Sequence, residues 1–223
     1  MAAARPPRPR PPPPSAEPAD RRRVVLEAAL QLMADQGYAG ASLRKLAEKV
    51  GMRQPSLYHY FRSKEQLVEQ IIETFSADMF VLGPRSLPER LEDVPKTIVD
   101  MIFELYEHTT HPLFVRVVFA VSRSHPRYGK LLREIFVDRA EMLMRAMAQP
   151  FVLRGEVAED EVVDLTRMVV NAIGFRLMEE KVLFDERPLG PEVRRFAAFV
   201  VETARVRIAQ LTEKNMARRI RGR

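Results

Sequence analysis

From Arg21 onward, apolar residues recur every three or four positions, and the strict alternation that a half-buried strand requires persists nowhere. The pattern predicts an all-α chain. A first helix from about Arg21 to Gln36 buries Val25, Leu26, Ala29, Leu32 and Met33 and stops at Gly37. A second covers Ser42 to Val50 and a third Gln54 to Tyr60. Ser63 is placed to cap a fourth, with Gln66 at the capping-box position and Leu67, Ile71 and Phe75 as its apolar series, until Gly83 and Pro84 break it. Longer helices follow over roughly 89–110, 113–123, 128–148, 158–184 and 191–220. Their separators are His111–Pro112, His125–Pro126, Pro150 to Gly155, and Pro188 to Pro191.

Residues 1–20 stand outside this pattern. Proline at their density supplies neither helix hydrogen bonds nor a packable face, so they read as a disordered, partly polyproline tail. Its Arg5, Arg8 and Arg10 either reach a DNA groove, as basic arms do, or are simply solvated.

Charge changes the picture once it is located along the chain. Residues 21–64 carry nine Lys/Arg against three acids, whereas residues 65–213 carry nineteen against twenty-five, within a net charge of +6. A small basic module thus adjoins a larger acidic one, which predicts attraction to phosphate backbones at one end only. There is no cysteine, hence no disulfide framework, thiolate nucleophile or cysteine-based metal site. No apolar run approaches the roughly 20 residues that span a bilayer, and the N-terminus lacks the apolar stretch of a signal peptide. The expectation is a cytoplasmic protein with no membrane partner.

The stretch SLRKLAEKVGMRQPSLYHYF (42–61) carries the chemistry. Ser42 caps the second helix, and Leu43, Leu46, Ala47 and Val50 form its apolar face. Gly51 lies where a tight turn needs positive φ, and Met52 plugs the angle between the helices. Leu57 and Phe61, four apart, hold the third helix in place. Arg53, Gln54, Ser56, Tyr58, His59 and Tyr60 are then left facing outward, able to donate to base edges and phosphates, and Pro55 near the helix start costs no hydrogen bond.

This segment resembles the DNA-binding domain of the tetracycline-repressor (TetR) family. The matching residues are Gly37-Tyr38, Ser42, RKLAEKVG at 44–51, QPSLYHYF at 54–61 and SKEQL at 63–67. Beyond the disordered tail at 1–20, the resemblance implies a helix-turn-helix DNA-binding domain at 21–81 and a helical effector-binding and dimerisation domain at 82–223. It implies that Gln54, Ser56, Arg44 and Arg53 read bases, and that Tyr58, His59, Lys64 and the Ser42 hydroxyl hold phosphates. Tyr60 serves either purpose, Pro55 lies at the DNA surface and Phe61 belongs to the core. Leu43 departs from the pattern, since an apolar residue offers a phosphate no hydrogen bond.

The run VVDLTRMVVNAIGF (162–175) is apolar on most sides and needs partners on more than one face. The resemblance implies that it pairs with the last helix in a four-helix dimer interface, with Val169, Ala172, Ile173, Gly174, Phe196, Val200 and Ala204 as the contact set. A monomer whose own core absorbs this surface is the alternative. An effector cavity among helices 89–153 is also implied by the resemblance. Its candidate walls are Met101, Ile102, Leu105, His108, Phe114, Val118 and Phe119, with Met142, Met144 and Met147, and each serves equally as plain core. Asn171 and Arg176, polar residues in an apolar helix, must find a partner in a ligand, another protomer or the interior.

Glu104, His108 and His111 have metal-like spacing, but they share their side with Asp100 and Glu107 and read as a solvated face, so no metal or other cofactor is expected. Nor is there a Gly-rich phosphate loop or a Ser/His/Asp arrangement, and an enzyme is not expected. The expected function is a transcriptional regulator, a repressor released from a palindromic double-stranded DNA operator by a small-molecule effector. An activator, a corepressor-dependent regulator and an effector-less architectural protein would be built from the same parts.

Overall fold

A computed structural model describes residues 18–81, 87–107, 110–122, 126–183 and 189–221. The tail expected at 1–20 and the break at Gly83–Pro84 therefore lie almost wholly outside the described residues, as does His108. Every regular element among the described residues is helical. In order they are α1 (Pro18–Gly40), α2 (Leu43–Val50), α3 (Gln54–Tyr60), α4 (Lys64–Val81), a 3-10 turn (Leu91–Asp93), α5 (Val94–Glu107), α6 (Thr110–Ser122) and α7 (Pro126–Arg133). A π turn (Glu134–Asp138), α8 (Arg139–Leu153), α9 (Glu159–Met178), a second π turn (Glu179–Leu183) and α10 (Pro191–Arg221) complete the chain. Among the described residues no helix is long and apolar enough to cross a membrane.

The sequence pattern locates α2 and α3 to within a residue. Three differences elsewhere have local causes. Pro112 does not break the chain but sits in the first turn of α6, where its missing N–H has no intrahelical acceptor to lose. The single helix expected over 128–148 is α7 and α8 joined by a π turn, which widens one turn without ending the helical run. Pro150 lies within α8, which runs on to Leu153.

Two clusters of buried side chains organise the fold. The first gathers α1 to α4 and also takes Phe114, Val117, Val118 and Val121 from α6 and Tyr128 from α7. The second joins α5, α8, α9 and α10, and takes Val115 from α6. Helix α6 therefore lies between them. Its stripe at 114, 117, 118 and 121 packs on α1 and α4, while Val115 points the other way.

Far along the chain, Glu161 fastens the start of α9 to α10. Its carboxylate accepts from the Ala158 N–H at 3.1 Å, from Lys214 Nζ at 2.9 Å and from Asn215 Nδ2 at 2.9 Å. Burial alone would raise this carboxyl, but the hydrogen bonds from Asn215, Lys214 and the Ala158 N–H prevail and hold it at about 2. A carboxyl held below its unfolded value stabilises the fold above about pH 4 and loses that contribution as the pH falls toward its folded value. Glu161→Gln is expected to lower unfolding free energy at neutral pH by about 2 kcal/mol. The difference from the wild-type chain should shrink between about pH 4 and pH 2 in urea titrations. A difference independent of pH would refute the assignment.

Candidate nucleic-acid interface

The first cluster exists, from the viewpoint of the site, to hold α3 by one edge. Ser42 Oγ accepts from the Lys45 N–H at 3.2 Å and starts α2. Gly51 ends it at φ 68°, and the Met52 N–H returns to the Ala47 carbonyl at 2.9 Å. That left-handed step redirects the chain into α3, whose first residues are Gln54 and Pro55. Leu57 and Phe61 are fully buried and anchor the helix. Arg53, Gln54, Pro55, Ser56, Tyr58 and His59 are exposed, and Tyr60 is half-buried. A seven-residue helix with one greasy edge and this polar surface suits the major groove.

The remaining DNA-facing candidates lie around it. Arg44 is exposed and its nearest carboxylate, Glu48, is 3.9 Å away. Leu43, the residue at odds with the resemblance, is buried in the core. Lys64 opens α4, where Ser63 Oγ accepts from the Gln66 N–H at 3.1 Å. The Gln66 side chain does not close a reciprocal box with Ser63; it accepts from the Arg62 N–H at 2.7 Å, one residue earlier.

Two residues carry more than their sequence positions suggested. Lys45 Nζ donates to Gln36 Oε1 and to the Gly40 carbonyl, both at 2.8 Å, so this cation ties α2 to α1. Tyr38, expected only to close the first helix, lies beneath Lys64, whose Nζ is 4.0 Å from the ring centroid. Its hydroxyl donates to Glu65 Oε1 at 3.2 Å. Burial, then the neighbouring Glu65 charge, raise the Tyr38 phenol, and burial lowers the Lys64 ammonium. Only the aromatic after Gly37, set beside a lysine at a helix start, signals this pairing, and the two lie too far apart in sequence for periodicity to connect them.

Residues 25–71 match the sequence model of the family described as bacterial regulatory proteins, tetR family. The chain is 41% identical over 59 residues to the HTH-type transcriptional repressor KstR2 of Mycolicibacterium smegmatis, covering 26% of this chain and 29% of that protein. It is 43% identical over 55 residues to the class A tetracycline repressor protein of Escherichia coli from transposon 1721, covering 25% of this chain and 26% of the repressor. Its fold superposes on GusR of Salmonella enterica with a TM-score of 0.66 at 21% identity, covering 89% of this chain and 98% of GusR. Residues 25–71 thus carry the DNA-binding module of the tetR family. These sequence matches span only a quarter to three tenths of the length of the two repressors. Over the rest of the chain the likeness to GusR is one of fold alone.

In the larger part of the chain, beyond the DNA-facing module, the residues proposed from sequence for a ligand cavity do not converge. Phe114 and Val118 belong to the first cluster, against α1 and α4, because they share the α6 stripe that faces the DNA module. Phe119, one position on, is exposed, as is Met142. Met147 is buried in the second cluster, with Ile102 packed against it, and Leu105 is half-buried. Met101 lines a groove of about 780 Å³ between α5 and α10, and Met144 and Asn171 line a cleft of about 70 Å³ between α8 and α9. Arg176 pairs with Glu179 at 3.2 Å and with Glu180 at 2.5 Å. His111 is not on the helix of Glu104. It is buried in α6 with its ring edge-on to Tyr106 at 4.9 Å, and among the described residues no three His, Asp or Glu side chains group as metal ligands.

The proposed dimer contacts divide likewise. Val169, Ile173, Val200 and Ala204 are buried inside the protomer, Ala172 and Gly174 are half-buried, and Phe196 is exposed. A Cβ at Gly174 would meet nothing within 4 Å, so this glycine serves no close approach inside the protomer. The outward large apolar residues are Met168 and Phe175 on α9, and Phe196, Phe199, Val206, Met216 and Ile220 on α10. A helix apolar on most sides does not reveal which side faces home, and the inner side is taken by α5, α8 and α10.

Proposed function

We propose that this chain is a homodimeric transcriptional repressor that binds a palindromic DNA operator through α3 and is released from it by a small-molecule effector. The observation that carries the reading is the polar rim of α3, Gln54, Ser56, Tyr58 and His59, held outward by the buried Leu57 and Phe61. The net positive charge of the module supports phosphate contact. TetR-family proteins bind DNA operators and small-molecule effectors and typically dimerise.

The exposed residues Met168 and Phe175 on α9, with the half-buried Ala172 between them, and Phe196, Phe199 and Val206 on α10 support a two-fold interface between protomers. Such a dimer sets two copies of α3 about one DNA turn or a multiple of it apart. The groove between α5 and α10 supports an effector, since its volume suits a small organic molecule. It has Val99, Phe103, Ala197 and Val201 among its apolar lining and Asp100 and Arg194 among its polar lining. An occupant there bears on α10, a helix of the proposed interface, and can shift the spacing of the two α3 copies if it prefers one arrangement.

Selection of duplexes from a random pool tests the reading. Recovery of a two-fold-symmetric sequence supports it, and failure to enrich any sequence in moderate salt refutes it. The doubly substituted Phe175→Glu, Phe199→Glu chain is expected to sediment as a monomer, while a persistent dimer would refute the interface.

A further inference from the structure

The Lys64 ammonium is held in an unusual way. Gly37 at φ 71° interrupts α1, and Tyr38 follows it, packed against the first cluster. The ring then lies under the first turn of α4, with Lys64 Nζ 4.0 Å from its centroid and Glu65 accepting its hydroxyl proton at 3.2 Å. Elsewhere in the module, lysines meet oxygen. Lys45 donates to a side-chain amide and a backbone carbonyl, and Lys49 stands 3.9 Å from the Asp35 carboxylate.

The distinction has a physical consequence. A carboxylate neutralises an ammonium and occupies its N–H donors, whereas an aromatic face attracts the cation through its quadrupole and leaves net charge and donors available to an anion. A lysine in the first turn of a helix also opposes the macrodipole, so this placement does not serve the stability of α4. An anion brought to the same turn would meet the positive helix end and the ammonium together.

We infer that Tyr38 is a positioning residue for DNA binding, whose ring presents the Lys64 ammonium to a backbone phosphate while the hydroxyl bond to Glu65 fixes the ring. This rests on the DNA-binding reading given above. Tyr38 itself touches no DNA in this account, and its effect passes wholly through Lys64.

The test is a double-mutant cycle on the selected duplex, with affinity measured across a range of sodium chloride concentrations. Lys64→Met is expected to cost about tenfold and to lower the slope of log affinity against log salt by about one per protomer. Tyr38→Leu should give most of the same loss and the same fall in slope. In the Lys64→Met background it should cost less than about twofold, because the interaction is already gone. Thermal melting checks that each variant folds. Should Tyr38→Leu fail to fold, Tyr38→Phe followed by fluorinated phenylalanines at the same position keeps the packing while weakening the ring face. Affinity should then fall stepwise with fluorination when Lys64 is present and stay level when it is replaced. Losses that multiply, or a salt slope unmoved by Tyr38→Leu or fluorination, would overturn the role of Tyr38 in a protein that still binds DNA. A wild-type chain with no salt-dependent affinity for any duplex would instead remove the DNA reading itself.

Discussion

Alanine in place of Phe114 is expected to lower the unfolding free energy by roughly 3–5 kcal/mol, the range for emptying a fully buried aromatic site. The ring is buried within the first cluster, 6.3 Å between centroids from Phe75 of α4. Its neighbours along the stripe, Val117, Val118 and Val121, are buried against the same helices and cannot collapse into the space without leaving α1. The loss should appear in urea unfolding followed by circular dichroism, with a single transition for the whole chain, because α6 contributes side chains to both clusters. Two separated transitions in the wild-type chain would refute that account. Phe119→Ala serves as the comparison. One residue further along α6 but exposed, it should cost well under about 1 kcal/mol.

The second large effect concerns recognition. Gln54→Ala is expected to weaken binding to the selected duplex by about 1–3 kcal/mol at each half-site, so a dimer loses roughly thirtyfold to twenty-five-thousandfold. Gln54 is the first residue of α3, exposed, with a carboxamide suited to the paired donor and acceptor of an adenine edge. Affinity for random duplex should change little, since charge and phosphate contacts are untouched. Equal losses on both duplexes, measured at one salt concentration, would refute base readout by Gln54.

Much of the DNA-facing module was legible because local rules determine it. A serine cap, a glycine in the left-handed region and two apolar residues four apart each act within a few positions, so Ser42, Gly51, Leu57 and Phe61 could be assigned their tasks from order alone. The stacking of Lys64 on Tyr38 was not legible, since it joins the end of α1 to the start of α4. In the larger half, patterns established that helices exist but not what they face. The α6 stripe looked like a cavity wall and is a seam with α1. On α9 the residues chosen for a partner, Val169 and Ile173, lie inward, while Met168 and Phe175 lie outward. The π turn at 134–138 left no mark because a run of apolar and polar residues reads much the same across one widened turn.

The shared seam also governs how such a protein can be recombined. A segment ending near residue 81 contains all of α2 and α3 but omits the α6 and α7 side chains that complete their support. Transplanted alone onto another regulator, it would arrive with an uncovered greasy flank unless the host supplied a matching one. Exchange of operator preference between relatives should therefore succeed when Phe114, Val117, Val118, Val121 and Tyr128 travel with the reading head, and yield insoluble chimeras when they stay behind.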